Sequence, residues 1–598
     1  MKTKKASASS NHRFGREETA AASAAVKPAK RAKRAAAGQP AASGVAALDE
    51  IFQNWNRSDS PGMVVGVAQH GKTIYRRAFG LASLEHGVAN TPATRMRIGS
   101  SSKHFACVAA FVLAEDGKLD VDAPITRYIP ELPTPRGVPT LRQLMNHTGG
   151  LRDYVDLVTI AAGLTLQPPG RALEMQLLQT DANFAPGEGQ MYCNGGYHLL
   201  SIAIERAAGM PFEQFLRERI FEPLGMSETE SIPGDMGVIP RMATLHTARP
   251  DKSWRRGIFM SEEIKGEGAI VSTIDDMLKW LAHLRAPRKT VAAATDWAQL
   301  WAPTTLKNGL VSSYGLGLFR HDYRGVEVIY HSGAVIGGLC QMLTVPAHEL
   351  DIIILNNGAL VSPDAQAKRI IDALLPQAVS GEPPKMAESK PYSPLFGTKY
   401  VNATGLVIGF EDCAGKLGIS MSHSPAGALL RDEGRTLRVA FEDTVIGPYV
   451  LSVDELKGKG GEPPKQLLVL ESGSPVKFTL VPRKVPSTQT AGRPLVGRYR
   501  CEHLDAEATI AFDGEQLLVK LAGGFGAVRM SATATSAKVF GLKVLGDSTS
   551  ADYSLVAETR DGEIAGFYIN SMRTRHLWFK RVGSAPRRKK GQQSGRVA

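Results

Sequence analysis

The 598-residue chain has no apolar run approaching the ~18 residues that span a bilayer. Its first 45 residues also lack the apolar stretch of ~7–15 that follows the basic start of a secretory signal. Cysteine is scarce: Cys107, Cys193, Cys340, Cys413 and Cys501 are five in number, unpaired by count and far apart. That excludes a disulfide framework and a cysteine metal cluster, and it fits a reducing compartment. No Gly-x-Gly-x-x-Gly opens a strand-to-helix unit, and there is neither a Walker loop nor a His-Glu-x-x-His pair. The expectations are a cytoplasmic protein with no membrane span, no metal and no cofactor.

What is present is material for a large globular core, with 43% apolar and 22% charged residues. The net charge of +13 points to nucleic acid until it is located. Residues 1–45 carry a net +8 and residues 584–598 a net +5, so the stretch between them is formally neutral. Segments such as KPAKRAKRAAAG hold too little apolar surface to offset their ordering entropy and read as disordered tails. Loose contact with nucleic acid or an anionic membrane is the functional alternative for them; the fold itself requires no nucleic acid.

Between the tails the pattern changes twice. Over 46–375, a hairpin turning at His70–Gly71 is followed by helical periodicity and then by strands such as VEVIYHSG and DIIILNNG. A sheet built from both ends of the segment, with helices inserted, is an α+β layout. Residues 376–393 are a Pro/Ser/Glu linker. Segments 394–485 and 494–583 look like a diverged repeat, opening on Pro394-Leu395-Phe396-Gly397 and Pro494-Leu495-Val496-Gly497. Their short, evenly spaced strands predict small antiparallel barrels or sandwiches.

The chemistry lies in the first of these segments. Ser100 opens a helix, and Lys103 at i+3 shares its face, so the amine can touch the hydroxyl. A serine hydroxyl needs a neighbouring base, and a lysine serves only if burial or nearby charge lowers its pKa. Ser-x-x-Lys alone is weak, since Ser474-Pro-Val-Lys477 matches it as well. Tyr192-Cys193-Asn194 has a double in Tyr400-Val-Asn402, and His331-Ser332-Gly333 has one in His147-Thr148-Gly149. Order and context decide: Ser-x-x-Lys opening a helix, Tyr-x-Asn in a loop, His-x-Gly ending a strand.

In that order the chain resembles the penicillin-recognising serine hydrolases, which include class C β-lactamases, DD-peptidases, esterases and D-aminopeptidases. The stretches HTGGLRDY, GAIVST, IFEPLGM and YGLGLF add to the resemblance, which covers 46–375. It implies a β-lactamase/penicillin-binding-protein-like catalytic domain followed by the two small β-barrel domains. It also implies Ser100 as nucleophile, Lys103 and Tyr192 as the proton-transfer pair, and Asn194 as holder of substrate and lysine. The oxyanion hole would be the backbone N–H groups of Ser100 and Ala334, beside Gly333 and His331. Which of Lys103 and Tyr192 is the working base stays open.

The third motif carries His331 where β-lactamases and many DD-peptidases carry Lys. A histidine is a weak carboxylate anchor at neutral pH, so an amide, an ester or an N-terminal residue becomes the better substrate. The plan of one catalytic and two β domains is similar to that of the D-stereospecific aminopeptidases, which release N-terminal D-residues such as D-Ala. That resemblance implies a small peptide, amide or ester substrate and a homodimer. It further implies a loop of the last β domain reaching the site to help bind the α-ammonium. The glycine-rich stretch 522–527 is the candidate loop, with Asp547 the nearest carboxylate further along. An esterase, β-lactam hydrolase or DD-carboxypeptidase of the same fold is the alternative; a non-catalytic binding protein is a third reading, disfavoured by the intact Ser100, Lys103, Tyr192 and His331 set.

Overall fold

The computed structural model describes residues 42–583 apart from 250, 260, 359, 423–427, 440–448, 458–460, 472 and 547–551. The central element of the catalytic domain is a six-stranded antiparallel sheet. Its order is Phe319–Tyr323, Val326–Val335, Gly338–Val345, Leu350–Asn356, Met63–Gln69 and Lys72–Phe79. Met63–Gln69 and Leu350–Asn356 are buried along their whole length and pair in the middle.

Because successive side chains alternate between faces, each central strand serves two cores. Val65, Val67, Ile352 and Ile354 pack with the helices Ala42–Phe52 and Pro363–Leu374. Val64, Ala68, Ile353 and Leu355 join the larger cluster around the helices Lys103–Glu115 and Ile274–Arg285. The hairpin between the first two strands turns at His70 and Gly71, both at positive φ (50° and 73°), as a tight turn with the twist of its strands requires.

The C-terminal region is two closed antiparallel barrels of eight strands each, over 399–480 and 497–583. Each runs up and down and closes its first strand on its last, Lys399–Val401 on Ser474–Leu480 and Gly497–Cys501 on Leu577–Gly583. Closure leaves no unpaired sheet edge.

The second barrel is fused to the catalytic domain through a shared core. Tyr154, Leu157, Val158 and Ala161 of the helix Tyr154–Ala162 pack in one cluster with Leu504, Phe525 and Val528 of the barrel. Arg152, fully buried, pins the barrel's connection between Glu563–Asn570 and Leu577–Gly583: its Nε donates to the Arg575 carbonyl (2.9 Å) and its Nη2 to that of His576 (2.9 Å).

Candidate active site

Ser100 sits in the 3-10 turn Gly99–Ser102, directly before the helix Lys103–Glu115. Its two neighbouring serines fasten that turn between sheets. Ser101 Oγ donates to the His331 carbonyl (2.9 Å), and Ser102 Oγ accepts from the Ile270 N–H (3.1 Å). The turn and the strand Val326–Val335 approach closely, which explains two glycines. A Cβ on Gly333 would lie 1.8 Å from the Ile98 carbonyl oxygen. Gly99 has φ +53°, and a Cβ there would lie 2.8 Å from Ala334 N. Only glycine lets both backbones come together.

Lys103 is fully buried and its Nζ has three neighbours: Ser100 Oγ at 3.1 Å, Asn194 Oδ1 at 2.9 Å and the Glu267 carbonyl oxygen at 2.8 Å. Burial pushes its pKa down to about 7; the Glu267 carboxylate opposes that shift and Arg573 adds to it. A neutral amine has two N–H groups and one lone pair. The two carbonyl oxygens can only accept, so they take the two N–H groups and leave the lone pair facing the Ser100 hydroxyl. The amide of Asn194 is oriented by its other end, where Nδ2 donates to Asp153 Oδ2 (3.0 Å). Asp153 in turn caps the helix Tyr154–Ala162 through the Val155 N–H.

Tyr192 completes the group. Lys103 Nζ lies 4.6 Å from its ring centroid, and both Tyr192 and Ser100 line the same cavity. Burial raises the phenol above its ordinary range, and Ser100 opposes that shift. His147 stacks on the same ring (centroids 4.3 Å apart), and its Nδ1 accepts the Cys193 N–H (3.1 Å). His147 of the third motif's double therefore backs Tyr192 from behind the cavity wall. The other two doubles lie in the first barrel, in and beside the strands Ser474–Leu480 and Lys399–Val401.

His331 is buried and neutral. Burial, followed by the charge of Lys103, lowers its pKa to about 3. Its Nδ1 lies 2.6 Å from the Ser332 carbonyl, which can only accept, so that nitrogen carries the proton. Its Nε2 then accepts from Tyr314 Oη (3.3 Å). Locked this way, it offers no cation to a substrate.

These groups open onto a cavity of about 940 Å³, lined by Ser100, Tyr192, Asn194, His331, Gly333 and Ala334 among others. The last barrel adds Ser571, Met572 and Arg573 to its lining. The candidate stretch 522–527 does not reach the cavity. It packs against the catalytic domain, where Gln167 Nε2 donates to the Phe525 carbonyl (3.4 Å) and Arg171 lies over the Phe525 ring. Asp547 lies outside the described residues. The turn that does reach the site is tied down along its length. Ser571 Oγ donates to Asp156, and Asn183 Nδ2 donates to the Arg573 carbonyl (2.8 Å) while its Oδ1 accepts from the Arg575 N–H (2.8 Å). Arg575 pairs with Glu471 of the first barrel.

Several site groups carried no sequence signal: Asp156, Asn183, Glu267 and Arg573. Glu267 is a buried carboxylate receiving the Tyr154 hydroxyl (2.8 Å) and facing His198 Nδ1 (3.1 Å). Burial pushes it up, but His198 and these hydrogen bonds hold it below the ordinary carboxyl range. Asp156, in the cavity wall, is raised by burial to about 6. The neighbouring thiols of Cys107 and Cys193 are pushed up by burial and are not thiolates. Among the described residues, no cluster of three or more His, Cys, Asp or Glu side chains is placed to hold a metal ion.

Comparison with known proteins agrees with the fold. The Beta-lactamase family model matches residues 45–376. A D-aminopeptidase of Brucella anthropi is 28% identical over 563 residues, covering 87% of this chain and 95% of that protein. A D-aminopeptidase of Brucella melitensis biotype 2 is 27% identical over 496 residues, covering 78% and 83%. Among solved structures, the octameric penicillin-binding protein homologue from Pyrococcus abyssi superposes with a TM-score of 0.50 at 16% identity, covering 90% of this chain and all of that one.

Proposed function

The chain belongs to the Beta-lactamase family, and from that premise we propose that it is a D-aminopeptidase working through an acyl-enzyme on Ser100. The observation that carries the proposal is the Lys103 amine, buried and aimed at Ser100 Oγ, in a cavity that also holds the Asp156 carboxylate. The carboxylate suits the α-ammonium of an N-terminal residue. The Brucella anthropi D-aminopeptidase supports the same substrate class, since it aligns across the catalytic domain and into both barrels.

In this reading Ser100 Oγ attacks the scissile carbonyl as its proton passes to Lys103 Nζ, the working base. Tyr192, kept protonated by burial, relays a proton between Lys103 and the leaving nitrogen. Asn194 holds the lysine and the substrate. The N–H groups of Ser100 and Ala334 receive the oxyanion, each worth about 3 kcal/mol of transition-state stabilisation. Water then attacks the acyl ester, with the same groups moving the proton in reverse. His331 supports the strand without touching charge on the substrate, which favours a substrate other than a penicillin. A homodimer in the cytoplasm belongs to the same proposal. Among the described residues, no helix is long and apolar enough to cross a membrane.

The test is release of D-alanine from D-alanyl amide, with L-alanyl amide beside it and Ser100→Ala as control. Release from the D-isomer alone, lost in the variant, is the expected result. No turnover of any D-aminoacyl compound overturns the assignment. The apolar part of the cavity wall, with Phe259, Ile264, Val335 and Leu339, favours an esterase as the second reading; faster turnover of a simple p-nitrophenyl acyl ester would establish it.

A further inference from the structure

Arg573 is the cation that the last barrel brings into the cavity, and the mechanism above does not use it. Its backbone is fixed: the N–H donates to Ser571 Oγ (3.1 Å), and the carbonyl accepts from Asn183 Nδ2 (2.8 Å) and from the Asp153 N–H (3.5 Å). Its side chain is not consumed by this scaffold. The guanidinium carbon lies 4.7 Å from the Tyr192 ring centroid, and Nη1 lies 3.6 Å from Asp153 Oδ2. That carboxylate oxygen already takes the closer Asn194 Nδ2 bond at 3.0 Å. Arg573 thus keeps most of its five N–H donors for the cavity, with 40% of its side chain exposed.

Its position defines what it can reach. Tyr192 lies beside Lys103 and Ser100, and in the proposed mechanism its hydroxyl hands a proton to the leaving nitrogen. In that mechanism the nitrogen leaves beside Tyr192, so a guanidinium over the Tyr192 ring is on the leaving-group side. The cavity also holds the Asp156 carboxylate, bound by Ser571 of the same turn, which the D-aminopeptidase reading assigns to the α-ammonium. One short turn of the last barrel thus carries the guanidinium and binds the carboxylate. With His331 neutral, Arg573 is the group there suited to a planar anion, which its fork binds with two parallel bonds.

We propose that Arg573 receives the free carboxylate of the leaving residue, so that the preferred substrates are dipeptides with an N-terminal D-residue and an unblocked C-terminus. This rests on the D-aminopeptidase reading and narrows it. Arg573 is on this account a binding residue for the substrate carboxylate.

The experiment compares D-alanyl-glycine with D-alanyl-glycinamide, which differ only in that carboxylate. On wild type, kcat/KM should favour the free dipeptide by about tenfold or more, the value of one charge-assisted contact. In Arg573→Gln the ratio should fall towards one, and Arg573→Lys should restore part of it. Taking the ratio within one variant at one pH cancels any change in Ser100 reactivity. A wild-type ratio near one, or a ratio unchanged in Arg573→Gln, overturns the proposal. Calorimetric binding of the two compounds to Ser100→Ala reads the same contact without turnover: tighter binding of the free dipeptide supports it, and equal binding or none overturns it. Turnover of D-alanyl amide with no carboxylate preference leaves the D-aminopeptidase reading standing while this one fails.

Discussion

If Lys103 is the base, Ser100 must become reactive as the Lys103 ammonium loses its proton near pH 7. The lowering from 10.5 to about 7, led by burial, means that the site as a whole disfavours the charged form by about 5 kcal/mol. At pH 7.5 roughly three quarters of the enzyme then has a free amine, against about one molecule in a thousand for an ordinary lysine. The second-order rate of Ser100 labelling by a fluorophosphonate, followed by mass spectrometry from pH 5 to 10, should rise with an apparent pKa near 7 and level off above pH 8. Two substitutions should move that limb in opposite directions. Glu267→Gln removes the carboxylate that favours the ammonium, so the limb shifts to lower pH. Arg573→Gln removes a cation that disfavours it, so the limb shifts to higher pH. His331 is already neutral throughout this range and should add no second step near pH 6.5. A limb above pH 9, or one that neither substitution moves, would refute Lys103 as the base.

Two further perturbations test how the site is assembled. Gly333→Ala places a Cβ 1.8 Å from the Ile98 carbonyl and must part the strand from the nucleophile turn; labelling of Ser100 should slow by about a hundredfold with the far-UV spectrum unchanged, and a loss under about threefold would contradict the close-approach account. Arg152→Gln leaves the Arg575 and His576 carbonyls without their buried donor; thermal denaturation should show a loss of about 3–5 kcal/mol together with reduced turnover, whereas wild-type melting and activity would show that the last barrel does not depend on this clamp.

Much of the architecture was legible from short-range pattern. The hairpin at His70–Gly71, the helix that Ser100 precedes and the two β-rich repeats all follow from periodicity and turn chemistry spanning a few residues. The motif residues could likewise be named, because Ser100 and Lys103 lie one helical turn apart. Their doubles could not be sorted by the same means. His147-Thr148-Gly149 proved to stack on Tyr192, while the other doubles lie in or beside strands of a distant barrel. Glycine content points to 522–527 as the substrate loop, yet the turn that lines the cavity is at 571–573, which no local feature marks.

The sequence by itself thus determined the elements, the fold class and the pairing of Ser100 with the Lys103 amine, since each depends on spacing along the chain. Only the tertiary structure decided what those groups are at neutral pH and what shares their cavity. The pKa of Lys103 is set by burial and by Glu267, Arg573 and Asp153, which stand 164, 470 and 50 positions away along the chain. Desolvation and Coulomb interactions act through space, so the proton affinity of Lys103 is set by folding of the catalytic domain and adjusted by Arg573 when the last barrel docks on the helix Tyr154–Ala162.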